Sequence, residues 1–257
     1  MNLQTLRKLT TRVGFSNTLR LVAHQLKGKP ADGMYSIRAS GYEHPFFLRP
    51  HGSDPAVFKQ VIRDGEYDIL PPETDVELVI DCGANVGFTS VYFLNRFPKA
   101  RLIAIEPDPS NFAVLQRNLA PYRDRVRLVN SGVWSHPARL RMSEEPFRDG
   151  REWARMVREC RPEEASEFVA TDIGTLFRES GAKRISFLKI DVEKSEREIF
   201  ARNYESWIHT VDAIAIELHD DDCRAVFERA IADAKVPLEF REMRELTVGV
   251  RRALSQN

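Results

Sequence analysis

Cysteine is scarce in this chain of 257 residues: Cys82, Cys160 and Cys223 stand far apart and are odd in number. That excludes a disulfide framework and the paired-cysteine spacing of a structural zinc site, and it predicts a reducing, cytoplasmic setting. Long apolar runs are missing, since no stretch reaches the roughly 18 residues needed to span a bilayer. The first residues also lack the apolar stretch and small-residue cleavage site of a secretory leader, so neither secretion nor a transmembrane segment is expected. Charge of one sign is not in excess, because 38 Lys and Arg balance 38 Asp and Glu. Without a strong positive field, phosphate-backbone binding is a poor first guess and no nucleic-acid partner is expected. Repeats and low-complexity tracts are absent too.

What remains is a composition of 42% hydrophobic and 30% charged residues, enough apolar material for a packed core. The length predicts one catalytic-size domain with an extension. Residues 1–75 read as that extension. Its first 31 residues carry Arg7, Lys8, Arg12, Arg20, Lys27 and Lys29 and no acid. A short helix capped by Asn17 would set Leu19, Val22 and Leu26 on one face, either to dock on the domain or to give weak peripheral contact with an anionic membrane surface. From Met34 to Leu48, polar and apolar residues interleave around Ser40-Gly41, which predicts a β-hairpin.

From residue 76 to 257 the pattern changes to short continuous apolar runs separated by stretches of helical period. Runs of that kind mark strands buried on both faces. Strands are predicted at 77–81, 101–106, 125–130, 184–191 and 212–218, with helices around 88–97, 109–119, 171–180, 195–203 and 222–234. Strand alternating with helix implies a mostly parallel, doubly wound α/β sheet. PLEFREM and TVGVRRAL then predict an antiparallel C-terminal pair that finishes it. Residues 134–170 fit neither period, and read as an irregular insertion and candidate lid with helical patches near WARMV.

The chemistry gathers at strand ends. Asp81-Cys82-Gly83-Ala84-Asn85-Val86-Gly87 follows a strand and opens a helix, and the next strand ends in Glu106. Small residues at 83 and 87 admit close backbone approach, while a carboxylate about 20 residues on is placed to accept ribose hydroxyls. The third glycine of the dinucleotide fingerprint is missing, as is the lysine-serine pair of a P-loop. An adenosyl ligand without a pyrophosphate fits better than a nicotinamide dinucleotide.

With these residues in view, the chain resembles the FkbM family of S-adenosylmethionine-dependent methyltransferases. The resemblance rests on VIDCGANVGFTSVYF, AIEPDPSNFAVLQRNL, FLKIDVEKSEREIF and IAIELH in that order, preceded by FFLRPHGSD and VFKQVIRDGEYD. It implies a Rossmann-like, seven-stranded class I methyltransferase fold and S-adenosyl-L-methionine as cofactor. It would set Asp81, Gly83, Asn85 and Gly87 around the methionyl part, Glu106 on the ribose, and Asn130 and Ser131 near the adenine. Lys194 stands where the family usually has a glycine, which puts acceptor contacts in that loop in doubt.

Asp191, Glu193, Glu217 and His219 lie at the ends of two later strands, where ligands of open parallel sheets bind. An alcohol acceptor needs its proton removed as the new bond forms. His219 is the first choice as base because ordinary histidine is largely neutral at pH about 7; Asp191 is the alternative. Glu193, Glu217, Trp153, Arg49 and Tyr67 are candidate acceptor contacts. No metal is expected, since the acid spacing is not diagnostic. The reading is an O-methyltransferase acting on a hydroxyl of a sugar, glycan or polyketide-like metabolite. The alternatives are a nicotinamide-dependent oxidoreductase and a non-catalytic cofactor-binding module.

Overall fold

The computed structural model describes residues 33–142 and 157–252. The N-terminal basic segment, with the helix expected there, lies outside them. The chain first forms β1 (Tyr35–Ile37) and β2 (Phe46–Leu48), an antiparallel pair as the hairpin signal predicts. Then comes a short α1 (Asp54–Phe58) that runs into a single π-helical stretch over 59–63.

The sheet domain follows with β3 (Leu78–Cys82), α2 (Phe88–Arg96), β4 (Arg101–Ile105), α3 (Pro109–Leu119) and β5 (Val126–Val129). After an inserted region come α4 (Ile173–Ser180), β10 (Phe187–Ile190), α5 (Glu196–Ala201), β11 (Ala213–Glu217), α6 (Asp221–Ala234), β12 (Leu238–Met243) and β13 (Leu246–Arg251). Their seven strands form one sheet in the order β12-β13-β11-β10-β3-β4-β5. All neighbours are parallel except β13, which slots antiparallel between β11 and β12. The expected fold class therefore holds, including the closing antiparallel pair.

Continuous apolar runs form these strands because both faces are covered. On β3, Val79 joins one core layer while Leu78, Ile80 and Cys82 join the other, and β4 and β11 alternate in the same way. Aspartates cap three helices, their side chains accepting backbone amides at the first turns of α3, α4 and α6. Each cap sits at a strand-to-helix corner and fixes where a strand end stops.

The insertion departs from the sequence reading. Where an irregular lid is expected, the described part forms β6 (Gly132–Trp134), β7 (Arg139–Met142), β8 (Val157–Glu159) and β9 (Phe168–Asp172), a four-stranded sheet of order β6-β9-β7-β8. Its strands are three to five residues long and two are arginine-rich, too short and too polar for a period to show. Among the described residues its buried apolar cluster is Trp134, Leu140 and Ala170. The helical patch near WARMV falls mostly outside the described residues, and its last member, Val157, begins β8. Among the described residues no helix is long and apolar enough to cross a membrane.

The upstream segment shares the core of the sheet domain. Phe46 and Phe58 meet Phe88 of α2 edge to face, with centroids 5.2 to 5.7 Å apart, and all three rings are at most 1% exposed. Such pairs add about 0.5 to 1.5 kcal/mol each beyond their area burial. Phe58→Ala should therefore lower unfolding free energy by about 3 to 5 kcal/mol in urea titration. A loss under about 1 kcal/mol would show that the segment is not anchored by this trio.

Candidate active site

A cleft with about 1210 Å³ of empty space, its open mouth included, lies at the carboxyl ends of β3, β4, β10 and β11. One end is lined by Gly83, Asn85, Glu106, Asp108 and Ser131. Glu106 is buried, and its carboxylate accepts the backbone amides of Asn85 (2.8 Å) and Asp108 (2.9 Å). Burial pushes this carboxyl up to about 7 even though those two amides favour the charged form. Asn85 takes a left-handed backbone (φ +50°), and its Oδ1 is buried with no hydrogen-bond donor reaching it among the described residues.

The two motif glycines do different jobs. At Gly83 (φ +78°) a Cβ would come within 1.8 Å of the Asp191 carbonyl oxygen, so the β3 and β10 loops can meet only with glycine there. Gly87 (φ +86°) begins α2, and its Cβ would press on Leu115 at 2.7 Å. It allows α2 to pack on α3 and does not line the cleft, contrary to the expected ligand contact.

Three more expected contacts are replaced by structural roles. Asp81 is fully buried, accepts the Ser90 hydroxyl at 2.6 Å and pairs with Lys189 at 3.4 Å, so it stands behind the lining. Asn130 turns its side-chain amide to the carbonyls of Glu106 and Pro107, clipping two strand ends together. Arg49 is bound to Asp54 at 2.8 Å and donates to Ser110 and Asn111, tying the upstream segment to α3. Tyr67 does line the cleft. Trp153 lies outside the described residues.

Lys189 is the residue that sequence reading missed. Its signal was a lysine inside an otherwise apolar run, FLKID, destined for burial on both faces. It is 3% exposed, donates to the Gly83 carbonyl at 2.6 Å, and lies 3.4 Å from Asp81 and 3.6 Å from Asp191. Burial acts to lower its pKa, but the two aspartates outweigh that and hold it charged.

The other end of the cleft is acidic, lined by Glu66, Asp191, Glu193, Glu217 and Glu245. Glu66 lies in the VFKQVIRDGEYD segment without having been singled out there, and Glu245 lies in none of the quoted motifs. Burial pushes Glu66 upward and, together with the charge of Asp191, pushes Glu217 up to about 8 despite the opposing His219.

His219 overturns its expected role. Its side chain is 1% exposed and outside the lining, with Nδ1 2.9 Å from Glu196 and Nε2 within 3.4 to 3.7 Å of Glu193, Glu217 and Asp191. Burial acts to lower its pKa, but Glu196, Asp191 and Glu193 outweigh that and raise it to about 9. At pH about 7 the ring is an imidazolium, not a neutral base. Ligand-type atoms of Asp191, Glu217 and His219 lie within 4.8 Å of one another. An ion bound there would have to displace the proton that the surrounding acids hold on His219.

Lys194 sits at φ +74°, directly after Glu193 at φ +51°. The position that would suit glycine thus keeps its left-handed backbone, with Lys194 Nζ 3.1 Å from Asp220.

Comparison with known proteins bears on this geometry. The profile of the methyltransferase FkbM domain matches residues 81–247. Methyltransferase sdnD of Sordaria araneosa is 28% identical over 192 residues, covering 63% of this chain and 73% of its own length. The 31-O-demethyl-FK506 methyltransferase FkbM of Streptomyces tacrolimicus is 25% identical over 57% of this chain and 66% of its own. A solved methyltransferase FkbM structure from Methylobacillus flagellatus KT superposes with a TM-score of 0.48 at 15% identity, over 97% of this chain and 58% of that one.

Two measurements test the local physics. Lys194→Gly should be more stable than Lys194→Ala by about 1 kcal/mol, because both lack the amine and only glycine is free of left-handed strain; thermal melts giving the reverse order would remove the strain. Glu106 has its folded pKa raised from 4.5 to about 7, so the folded state holds the proton more tightly. Its contribution is present below pH 4.5 and lost as pH rises through about 7. Relative to Glu106→Gln, the ligand-free protein should lose on the order of 3 kcal/mol across that window. Parallel urea curves at the two ends would contradict the burial argument.

Proposed function

The chain belongs to the FkbM methyltransferase family, and from that premise we propose that it moves a methyl group from S-adenosylmethionine to a hydroxyl of a sugar, glycan or polyketide-like metabolite. The observation that carries this reading is one cleft with two chemically different ends. At the first, the Glu106 carboxylate can accept ribose hydroxyls, and the partnerless Asn85 Oδ1 wants a donor such as the cofactor's amine or hydroxyl. Gly83 keeps the loop low beside them. These groups fit an adenosyl ligand, and the third glycine of the dinucleotide fingerprint is missing from the loop that carries Gly83 and Asn85. When bound, the cofactor supplies a methyl group on a positively charged sulfur.

At the second end, carboxylates accept hydrogen bonds from a donor-rich acceptor and hold it in line with the methyl group. Alignment of this kind is a large share of catalysis for a displacement with no covalent enzyme intermediate. The Streptomyces tacrolimicus relative is named for methylation at an oxygen, which supports a hydroxyl as the acceptor.

Calorimetry should find binding of S-adenosylmethionine and none of NADH, with Glu106→Ala weakening the former by about 1.5 to 3 kcal/mol. Mass spectrometry of glycans and metabolites from cells with and without the protein should show a shift of one methylene. NADH binding that Glu106→Ala abolishes would replace this reading with the oxidoreductase.

A further inference from the structure

The cleft separates groups an acceptor can touch from groups it cannot. Asp191, Glu193 and Glu217 line it, whereas His219 lies behind them with 1% of its side chain exposed. His219 is gripped from the rear by Glu196, a fully buried carboxylate on α5. Oε1 of Glu196 also accepts the Val192 amide at 3.0 Å, and its Oε2 takes the Cys223 thiol at 3.5 Å. A fully buried carboxylate requires a countercharge, and His219 is the cation within ion-pair distance of Glu196 among the described residues. One ring N–H is thus directed at Glu196 and the other faces the three lining carboxylates.

Those three are not equivalent. Asp191 is already engaged in an ion pair with Lys189 at 3.6 Å. Glu193 sits on strained left-handed backbone and is nearest to the His219 Nε2, at 3.4 Å. Glu217 has only His219 as a cation within 4.0 Å among the described residues, and it faces the charges of Asp191, Glu193 and Glu245. Glu66, Tyr67 and Lys189 complete the wall around it. A carboxylate in a negative field takes a proton most readily.

We propose that Glu217 is the catalytic base that takes the acceptor's hydroxyl proton, and that His219 is a positioning residue, a buried cation aiming Glu217, Asp191 and Glu193 into the cleft. The inference rests on the methyl-transfer reading above. Glu217 gains the proton, the O–H electron pair becomes the new O–CH3 bond, and sulfur keeps the electrons of the broken S–CH3 bond. The products are a methyl ether, S-adenosylhomocysteine and a protonated Glu217 that returns its proton to water. Burial and the neighbouring acids, which push Glu217 up to about 8, match a base working near neutral pH.

The test uses the full chain saturated with S-adenosylhomocysteine. Carbon-13 and nitrogen-15 NMR should show His219 protonated on both nitrogens up to pH about 9, and Glu217 titrating near 8. His219→Gln removes the nearby positive charge and should move the Glu217 titration upward. A neutral His219 at pH about 7, or a Glu217 titrating near 4.5, overturns the proposal. In a second arm, tritiated methyl from S-adenosylmethionine is followed into a whole, undialysed extract of the source cells. Label transfer should rise with pH through about 8. Glu217→Gln should cost about 10² to 10⁴ in rate at unchanged cofactor affinity, while Glu217→Asp keeps the pH limb with a smaller loss. Glu217→Gln at wild-type rate hands the proton to another group and sinks the idea. Wild-type protein that binds no S-adenosylmethionine in calorimetry fails the underlying reading instead, whatever the two titrations give.

Discussion

A single buried cation between the two central strands sets the terms for everything above it. Asp81 on β3 and Lys189 on β10 are direct neighbours in the parallel register, on the same face of the sheet, and both are almost wholly removed from water. Two charges in such a place are stable only as a satisfied set, and here the set is wide. Lys189 reaches Asp81, Asp191 and the Gly83 carbonyl, while Asp81 also holds the Ser90 hydroxyl of α2. One ammonium thereby joins the β3 loop, the β10 loop and the helix that follows β3. Breaking the pair would leave an uncompensated charge inside the sheet, so the loops that floor the cleft cannot drift apart independently.

The glycine at 83 makes that geometry possible, because any side chain there would strike the Asp191 backbone that Lys189 draws in. Around this fixed floor the cleft acquires two electrostatic characters. Glu106, desolvated and held by two amides, stands at one end beside Asp108. At the other, several carboxylates crowd together around one imidazolium. Burial and the neighbouring acids keep Glu217 readier to hold a proton than an acid in water, which gives that end a chemistry the Glu106 end shares only in part.

The upstream segment and the inserted sheet act as supports. The phenylalanine trio seats the segment that brings Glu66 and Tyr67 to the wall, and Arg49 locks the same segment to α3. On the opposite flank, Ser131 is tied by its hydroxyl to the Val169 carbonyl, so the inserted sheet borders the Glu106 end of the cleft. Binding groups thus come from parts of the chain far apart in sequence and are held by packing that is local to neither.

Local order was legible in the residues themselves. The five parallel strands, their helices, the closing antiparallel pair and the glycine turn after β3 follow from apolar periodicity and backbone preference, which act over a few residues and leave their mark in spacing. Lys189 could have been noticed by the same logic, as a charge embedded in a run that must be buried. The charge state of His219 could not, because it depends on Glu196, Asp191, Glu193 and Glu217, brought together by strand pairing and not by spacing. The short strands of the insertion have a similar origin: each is too brief for a period to show and exists because distant partners complete its ladder. Sequence determined which segments fold and in what order, since those forces are local; tertiary structure alone decided which acids meet, which histidine is charged and which side chains reach the cleft, since electrostatics and burial depend on neighbours that only the folded chain supplies.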